Sequence, residues 1–369
     1  MGHPEKEQPR LSASLGGELK QGWDSTERLS HRVESFAILK QRTKTFIDWA
    51  LQGGVSDILE KPHSKTFKLL QDCGQYLIFR NYLVSRRSRL IGACSCKQHL
   101  LCAFCASRRG VKNAMAYKEK VVHLANETPG LDLMFLTFTV KNGADLWERF
   151  SHLRGSVQTI LKHRNNQLAG KKRVTHKTEL AKLTGGVFAY EFKRGAGENL
   201  WHPHIHMLAH KAGSENIDAE ILKNEWEKIT GDSHVINIQH CKNDDPFLEV
   251  FAYALKFSEM SNADRWYASQ LIKGERLISS FGAFRGVDLS DDVADDILTT
   301  EEPFVDLLFR WNSERCSYGA AAVIAKAVKD SAFDEATAGW PDDMKQAFHD
   351  EIVNRPELVK SFNSSFNPS

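Results

Sequence analysis

The stretch Trp201-His202-Pro203-His204-Ile205-His206-Met207-Leu208 concentrates side chains able to do chemistry. As a β-strand, its period of two sets His202, His204 and His206 on one face and Trp201, Pro203, Ile205 and Met207 on the other. Two imidazoles one residue apart on a rigid strand project in parallel and can converge on one divalent cation. A carboxylate is at hand in the preceding strand-like run Val187–Lys193, where Glu191 alternates away from Phe188, Tyr190 and Phe192. The intervening residues 194–199 have turn chemistry, so a hairpin is expected to bring Glu191 beside the histidines. Two neutral imidazoles and one carboxylate leave positions open for water and substrate, the composition of a catalytic metal site. A histidine-rich strand edge is the bland alternative.

Two further groups carry chemistry. In Phe247–Phe257, read as a helix, Glu249, Tyr253 and Lys256 share one narrow face beside an apolar one formed by Phe247, Val250 and Ala254. There Lys256 can stabilise phenolate or phosphate charge and Glu249 can take a proton; an ordinary amphipathic helix is the alternative. Four of the seven cysteines lie between Cys94 and Cys105. Cys102-x-x-Cys105 has the knuckle spacing that lets two thiolates chelate Zn2+, and Cys94 or Cys96 with Cys73 can complete a tetrahedron.

The elements that must position these groups are legible in outline. With 369 residues, 41% hydrophobic and 26% charged, the chain has enough apolar surface for a real core and more than one structural unit. The longest apolar run, 133–140, is too short to span a bilayer, and the first residues show no signal-peptide pattern, so a cytoplasmic protein without membrane attachment is expected. The net charge of +2 hides an asymmetry: residues 61–120 hold 13 Lys and Arg against 2 Asp and Glu, and residues 291–369 hold 7 against 16. The basic block has the electrostatics of a phosphate-backbone partner. Within it Arg86, Arg87, Arg89, Arg108, Arg109 and Lys112 are candidates for DNA contact. The pattern predicts helices over 26–51, 145 onward and 217–229, and strands at 75–79, 133–140, 187–193, 201–208 and 234–240. After 266 it predicts a helix, a basic turn and a final strand.

Taken in order, Phe135-Leu-Thr-Phe-Thr139, His202-Pro-His-Ile-His206 and Glu249-x-x-x-Tyr253-x-x-Lys256 resemble the three motifs of rolling-circle replication initiators of the HUH endonuclease superfamily. They are most similar to plasmid replication proteins with one catalytic tyrosine and an acid four residues before it. Cys73-Gly74, Cys102-x-x-Cys105 and Lys273-Gly-Glu-Arg276 are similar to that group too, so the likeness runs from about 73 to 287.

The resemblance implies an α+β HUH endonuclease fold, a central antiparallel sheet flanked by helices with the histidines on a central strand. The expected divisions are an N-terminal helical region (1–70), a Cys-rich zinc- and DNA-binding region (71–125), the endonuclease core (126–290) and an acidic helical C-terminal region (291–369). It implies Mg2+ or Mn2+ on His204, His206 and Glu191, with His202 outside the ligand set, and structural Zn2+ on the cysteines. It also implies Tyr253 as nucleophile, Glu249 and Lys256 beside it, and single-stranded or hairpin origin DNA as substrate. A host helicase and polymerase would then act as partners. A mobilisation relaxase or single-strand transposase shares this nicking chemistry, and a non-enzymatic zinc-dependent DNA-binding regulator is the reading from another class.

Overall fold

Runs such as Leu133–Thr139, aromatic and β-branched with one side more apolar than the other, bury their side chains best on a pleated sheet covered on one face. The computed structural model describes residues 29–326 apart from 61–62, 83–84, 86, 128–131, 171–175, 196–198, 212, 214, 242–249, 252–255, 290–293 and 295–303. Its described elements begin with α1 (Leu29–Trp49), α2 (His63–Asp72), β1 (Tyr76–Tyr82), β2 (Ser88–Ala93) and α3 (Ala103–Glu127). Next come β3 (Asp132–Thr139), α4 (Leu146–Leu168), β4 (Leu183–Arg194), β5 (Trp201–Lys211), α5 (Ala219–Thr230) and β6 (Ile236–His240). The last are α6 (Asn262–Leu271), β7 (Ile278–Gly282), β8 (Phe304–Asn312) and β9 (Ser317–Lys326). Among the described residues no helix is long and apolar enough to cross a membrane.

The described residues form two compact units, 110–289 and 29–109 with 304–326. In the first, five antiparallel strands run in the order β6-β3-β5-β4-β7, with the histidine strand β5 in the middle. The expected α+β class with a central antiparallel sheet flanked by helices is what the structure has. Helix α4 starts where the Asp145 side chain accepts from the Glu148 amide at 2.8 Å, and α5 ends at Gly231 with φ +70°. Their apolar stripes cover the face opposite the histidines. Phe150 meets Tyr190 and Phe192 edge-on at 5.4 and 5.3 Å, and Trp226 meets Phe138 at 5.0 Å while donating its indole N–H to the Thr139 carbonyl at 2.7 Å. At the strand junction Gly282 has φ +57°, and a Cβ there would stand 2.0 Å from the Thr184 carbonyl, so only glycine lets β7 lie against β4.

In the second unit the order is β2-β1-β8-β9, again antiparallel. Phe36 of α1 packs on Phe79 of β1 and on Phe104 at 6.0 and 5.3 Å, with all three rings buried. Here the helical character expected for 291–369 is corrected for 304–326, and the rest of that region apart from Ala294 lies outside the described residues. Residues 304–312 and 317–326 are strands, and residues 304–310 pair with all of β1. Acidic composition suggested a solvated helix, but Asp306 is buried by a two-pronged ion pair with Arg80, at 2.8 and 2.9 Å, that reaches across 226 residues.

Candidate functional site

The register of the hairpin places Glu191 directly opposite His204, with Ala189 opposite His206 and Lys193 opposite His202. Side chains opposite one another on an antiparallel pair share a face, so Glu191 meets the two imidazoles. One carboxylate oxygen of Glu191, Oε2, lies 3.2 Å from His204 Nε2, 3.4 Å from His206 Nε2 and 2.7 Å from the Lys256 ammonium. The other oxygen is buried without a hydrogen-bond partner. Burial alone would raise the Glu191 pKa; hydrogen bonds from His204 and His206 and the charge of Lys256 outweigh it and hold the carboxyl well below the usual range.

The outer edges of both rings are tied back. His204 Nδ1 lies 3.3 Å from the His202 carbonyl, which can only accept, so Nδ1 carries a proton, and a metal would take the place of the Nε2 proton that meets Glu191. His206 Nδ1 meets the Thr137 hydroxyl at 3.1 Å, and Phe135 stacks on its ring at 5.2 Å. Two imidazole Nε2 atoms facing one carboxylate oxygen, with the second oxygen unsatisfied, make a set of three side chains that a divalent cation would join in place of the Nε2 protons. The side-chain donors of Glu191, His204 and His206 all lie within 4.8 Å of one another. His202 is not among the converging groups. Its Nδ1 is 2.6 Å from Asn142 Oδ1, and burial, His204 and Lys193 lower its pKa to about 4.

The cluster opens into a cleft of about 760 Å³ whose walls include Thr137, Lys193, Arg194, Lys256 and Asp264. Lys256, expected beside a tyrosine, is thus brought to the Glu191 carboxylate itself. Tyr253 and Glu249 lie outside the described residues.

The ligand face carries a further imidazole, His210, that belongs to no ligand set. It is buried, its Nδ1 meets the Thr184 hydroxyl at 2.5 Å, and its Nε2 has no partner. Burial lowers its pKa from 6.5, against a smaller opposing effect of Asp132. The unfolded chain therefore takes up a proton before the folded one does, so His210 costs nothing above pH 6.5 and subtracts stability as the pH falls below it. Urea titrations at pH 7 and pH 5 are expected to show a smaller loss for His210→Gln than for the wild type; equal losses would contradict a buried neutral imidazole.

In the second unit Cys73, Cys96, Cys102 and Cys105 point their sulfurs at one another, while Cys94 stands outside them half-buried. The structure thus gathers Cys96, and not Cys94, with the other three. Sγ separations are 3.5 Å for Cys73–Cys105 and Cys102–Cys73 and 3.6 Å for Cys96–Cys105. Four thiolates around a tetrahedral Zn2+ at ~2.3 Å would be about 3.8 Å apart, so the cradle fits a zinc ion with little adjustment. The Cys96 and Cys105 amides point at the Cys73 and Cys102 sulfurs at 3.4 and 3.5 Å, the usual support for bound thiolates.

Nothing in the spacing of α1 points to this cluster. Lys40, 4% exposed, donates to the Cys73 and Gln71 carbonyls, and Thr43 accepts from the Ala103 amide at 3.1 Å and donates to Cys102 Sγ at 3.8 Å. The available signal was a lysine and a threonine among Phe36, Leu39, Phe46 and Ile47, the apolar stripe of that helix.

Of the basic candidates, Arg87, Arg89, Arg109 and Lys112 are half-buried and Arg86 lies outside the described residues. Arg108 is corrected: at 1% exposure its guanidinium sits 5.8 Å over the Phe36 ring, inside the core and away from any DNA backbone.

Comparison with known proteins gives a consistent result. The family described as "Replication protein" matches residues 87–318. The chain is 28% identical over 149 residues to "Protein rep" of Bacillus amyloliquefaciens, 40% of this chain and 39% of that protein. It is 29% identical over 149 residues to "Protein rep" of a Bacillus species, covering 43% of it, and 26% identical over 162 residues to "Protein rep" of Lactiplantibacillus plantarum, covering 47%. The aligned stretch spans less than half the length of each of these relatives. No solved structure matches the chain.

Proposed function

Because this chain belongs to the replication-protein family, we propose that it initiates rolling-circle replication of a plasmid by nicking single-stranded origin DNA. The observation that carries this reading is the convergence of His204 and His206 Nε2 on Glu191 Oε2 with both outer ring nitrogens tied back. Mg2+ or Mn2+ held by these three side chains would supply Lewis acidity toward a phosphate oxygen. Tyr253, three residues before Lys256 in the chain, attacks phosphorus with its phenol oxygen. The bond from phosphorus to the 3′ oxygen breaks, the phenolic proton passes to water, and the leaving oxygen takes up a proton. The products are a 5′-phosphotyrosine and a free 3′-OH, which primes a host polymerase while a host helicase opens the duplex. Lys256, 2.7 Å from Glu191, supplies positive charge beside the phosphate.

In this reading residues 126–290 are the endonuclease core, and the Cys-rich stretch 71–125 holds structural Zn2+. Arg87, Arg89, Arg109 and Lys112 contact the phosphates of the origin, duplex or hairpin. The test is relaxation of supercoiled plasmid carrying its own origin. Tyr253→Phe is expected to abolish relaxation while its affinity for origin DNA stays within about twofold, since the basic residues still meet phosphate; relaxation by the variant would refute the assignment.

Glu249 is assigned the termination step. After one round a single-tyrosine enzyme must cleave again without a second tyrosine, and a carboxylate four residues before Tyr253 can activate water instead. Glu249→Ala is therefore expected to nick at near-normal rate and to accumulate multi-unit single strands. Unit-length products from this variant would show that termination belongs to another group.

A further inference from the structure

Beside Arg194, which lines the cleft, planar groups stack on one another. The Arg194 guanidinium lies 3.9 Å over the Trp201 ring, held in place by Asp264 Oδ1, which accepts from its Nε at 3.1 Å and its Nη2 at 2.7 Å. Tyr267, one helical turn after Asp264 on α6, stacks on Trp201 with ring centroids 6.1 Å apart and planes 22° from parallel. Trp201 is 1% exposed, whereas Tyr267 is 44% exposed. An aromatic ring pinned on a buried indole thus keeps a large part of its surface in solvent. Arg194 and Asp264 line the cleft that holds Glu191, His204 and His206. Trp201 precedes His204 by three residues on the same strand, about 10 Å at strand rise, with its side chain on the other face, and Arg194 joins it to the cleft.

We propose that Tyr267 is a base-stacking subsite on which a nucleobase of the cleaved single strand lies, next to the phosphate that reaches the Glu191–His204–His206 cluster. The substrate class rests on the nicking reading given above. Every base has a π-face, so stacking on a fixed ring is sequence-tolerant, while Arg194, Lys193 and Lys256, which line the cleft, meet the charge of the phosphates. The Asp264 carboxylate does not repel the strand as a bare charge would, because Arg194 and the Ser261 hydroxyl at 2.9 Å pair with it.

The test measures affinity alone, on the full chain without divalent cation, by anisotropy of a fluorescein-labelled oligothymidylate about 20 nucleotides long. Tyr267→Ala is expected to weaken binding about tenfold, and Tyr267→Phe and Tyr267→Trp to stay within about twofold of the wild type. On an abasic strand of the same length the wild type should lose about the same factor, and Tyr267→Ala should add no further loss. Unchanged affinity of Tyr267→Ala for oligothymidylate, an equal further loss on the abasic strand, or a tenfold loss for Tyr267→Phe would overturn the proposal. Should Tyr267→Ala fail to fold, the Phe and Trp variants and the abasic comparison in the wild type decide it. Because no cleavage is read, absence of nicking would count against the proposed function and leave this measurement intact.

Discussion

His206→Ala is expected to lower metal-dependent strand cleavage by on the order of 10²–10³-fold at a fixed Mn2+ concentration. Lewis-acid stabilisation of a phosphoryl transition state is worth several kcal/mol, and each ~1.4 kcal/mol is a factor of ten in rate. Among the described residues the site has three protein donors, and His202, the next imidazole on the strand, is turned to Asn142. Thr137→Val makes the informative companion. It leaves all three ligands but removes the hydroxyl 3.1 Å from His206 Nδ1, and the loss of such a supporting contact costs about 10–100-fold. Raising Mn2+ should recover much of the activity of Thr137→Val and little of that of His206→Ala. Wild-type cleavage by His206→Ala would remove the histidine strand from the chemistry.

Cys102→Ala is expected to have the largest effect on folding. Cys102 is buried at the centre of the cluster, against Cys73, Cys105 and the Thr43 hydroxyl, so its loss opens the tetrahedron and releases the contact to α1 at once. Structural Zn2+ contributes folding free energy directly. A loss of roughly 3–5 kcal/mol, at about 3 °C per kcal/mol, lowers the melting temperature by about 10–15 °C. The wild type, purified reduced, should carry about one equivalent of zinc that resists dialysis, and Cys102→Ala should carry none. Cys94→Ser should keep both zinc and stability, because Cys94 stands outside the cluster. Full zinc content in Cys102→Ala, or loss of it in Cys94→Ser, would contradict the ligand set.

The parts of this arrangement that were legible in sequence are those governed by local periodicity. Alternation alone put His204 and His206 on one face of a strand, and a turn of the right composition brought Glu191 to them; the register confirms both. Period two puts Thr137 on the same face of β3 as Phe135, but its contact with His206 depends on β3 lying next to β5, which is a matter of sheet order. What stayed illegible depends on long-range partners. Asp306 reads as an acidic surface residue until Arg80 is placed opposite it, and Arg108 reads as a basic surface residue until Phe36 covers it. Lys40 is the same case, a charge tolerated inside because two backbone carbonyls satisfy it beside the thiols.

The most direct measurement is incubation of the full chain with 5′- and 3′-labelled single-stranded origin DNA and Mn2+, followed by proteolysis and mass spectrometry of any covalent adduct. The proposed mechanism predicts an adduct carrying the 5′-phosphorylated fragment on the peptide that contains Tyr253, formed with Mn2+ and absent with EDTA, together with release of a fragment ending in a free 3′-OH. No adduct under these conditions, or an adduct on Tyr190 or Tyr267, would contradict it.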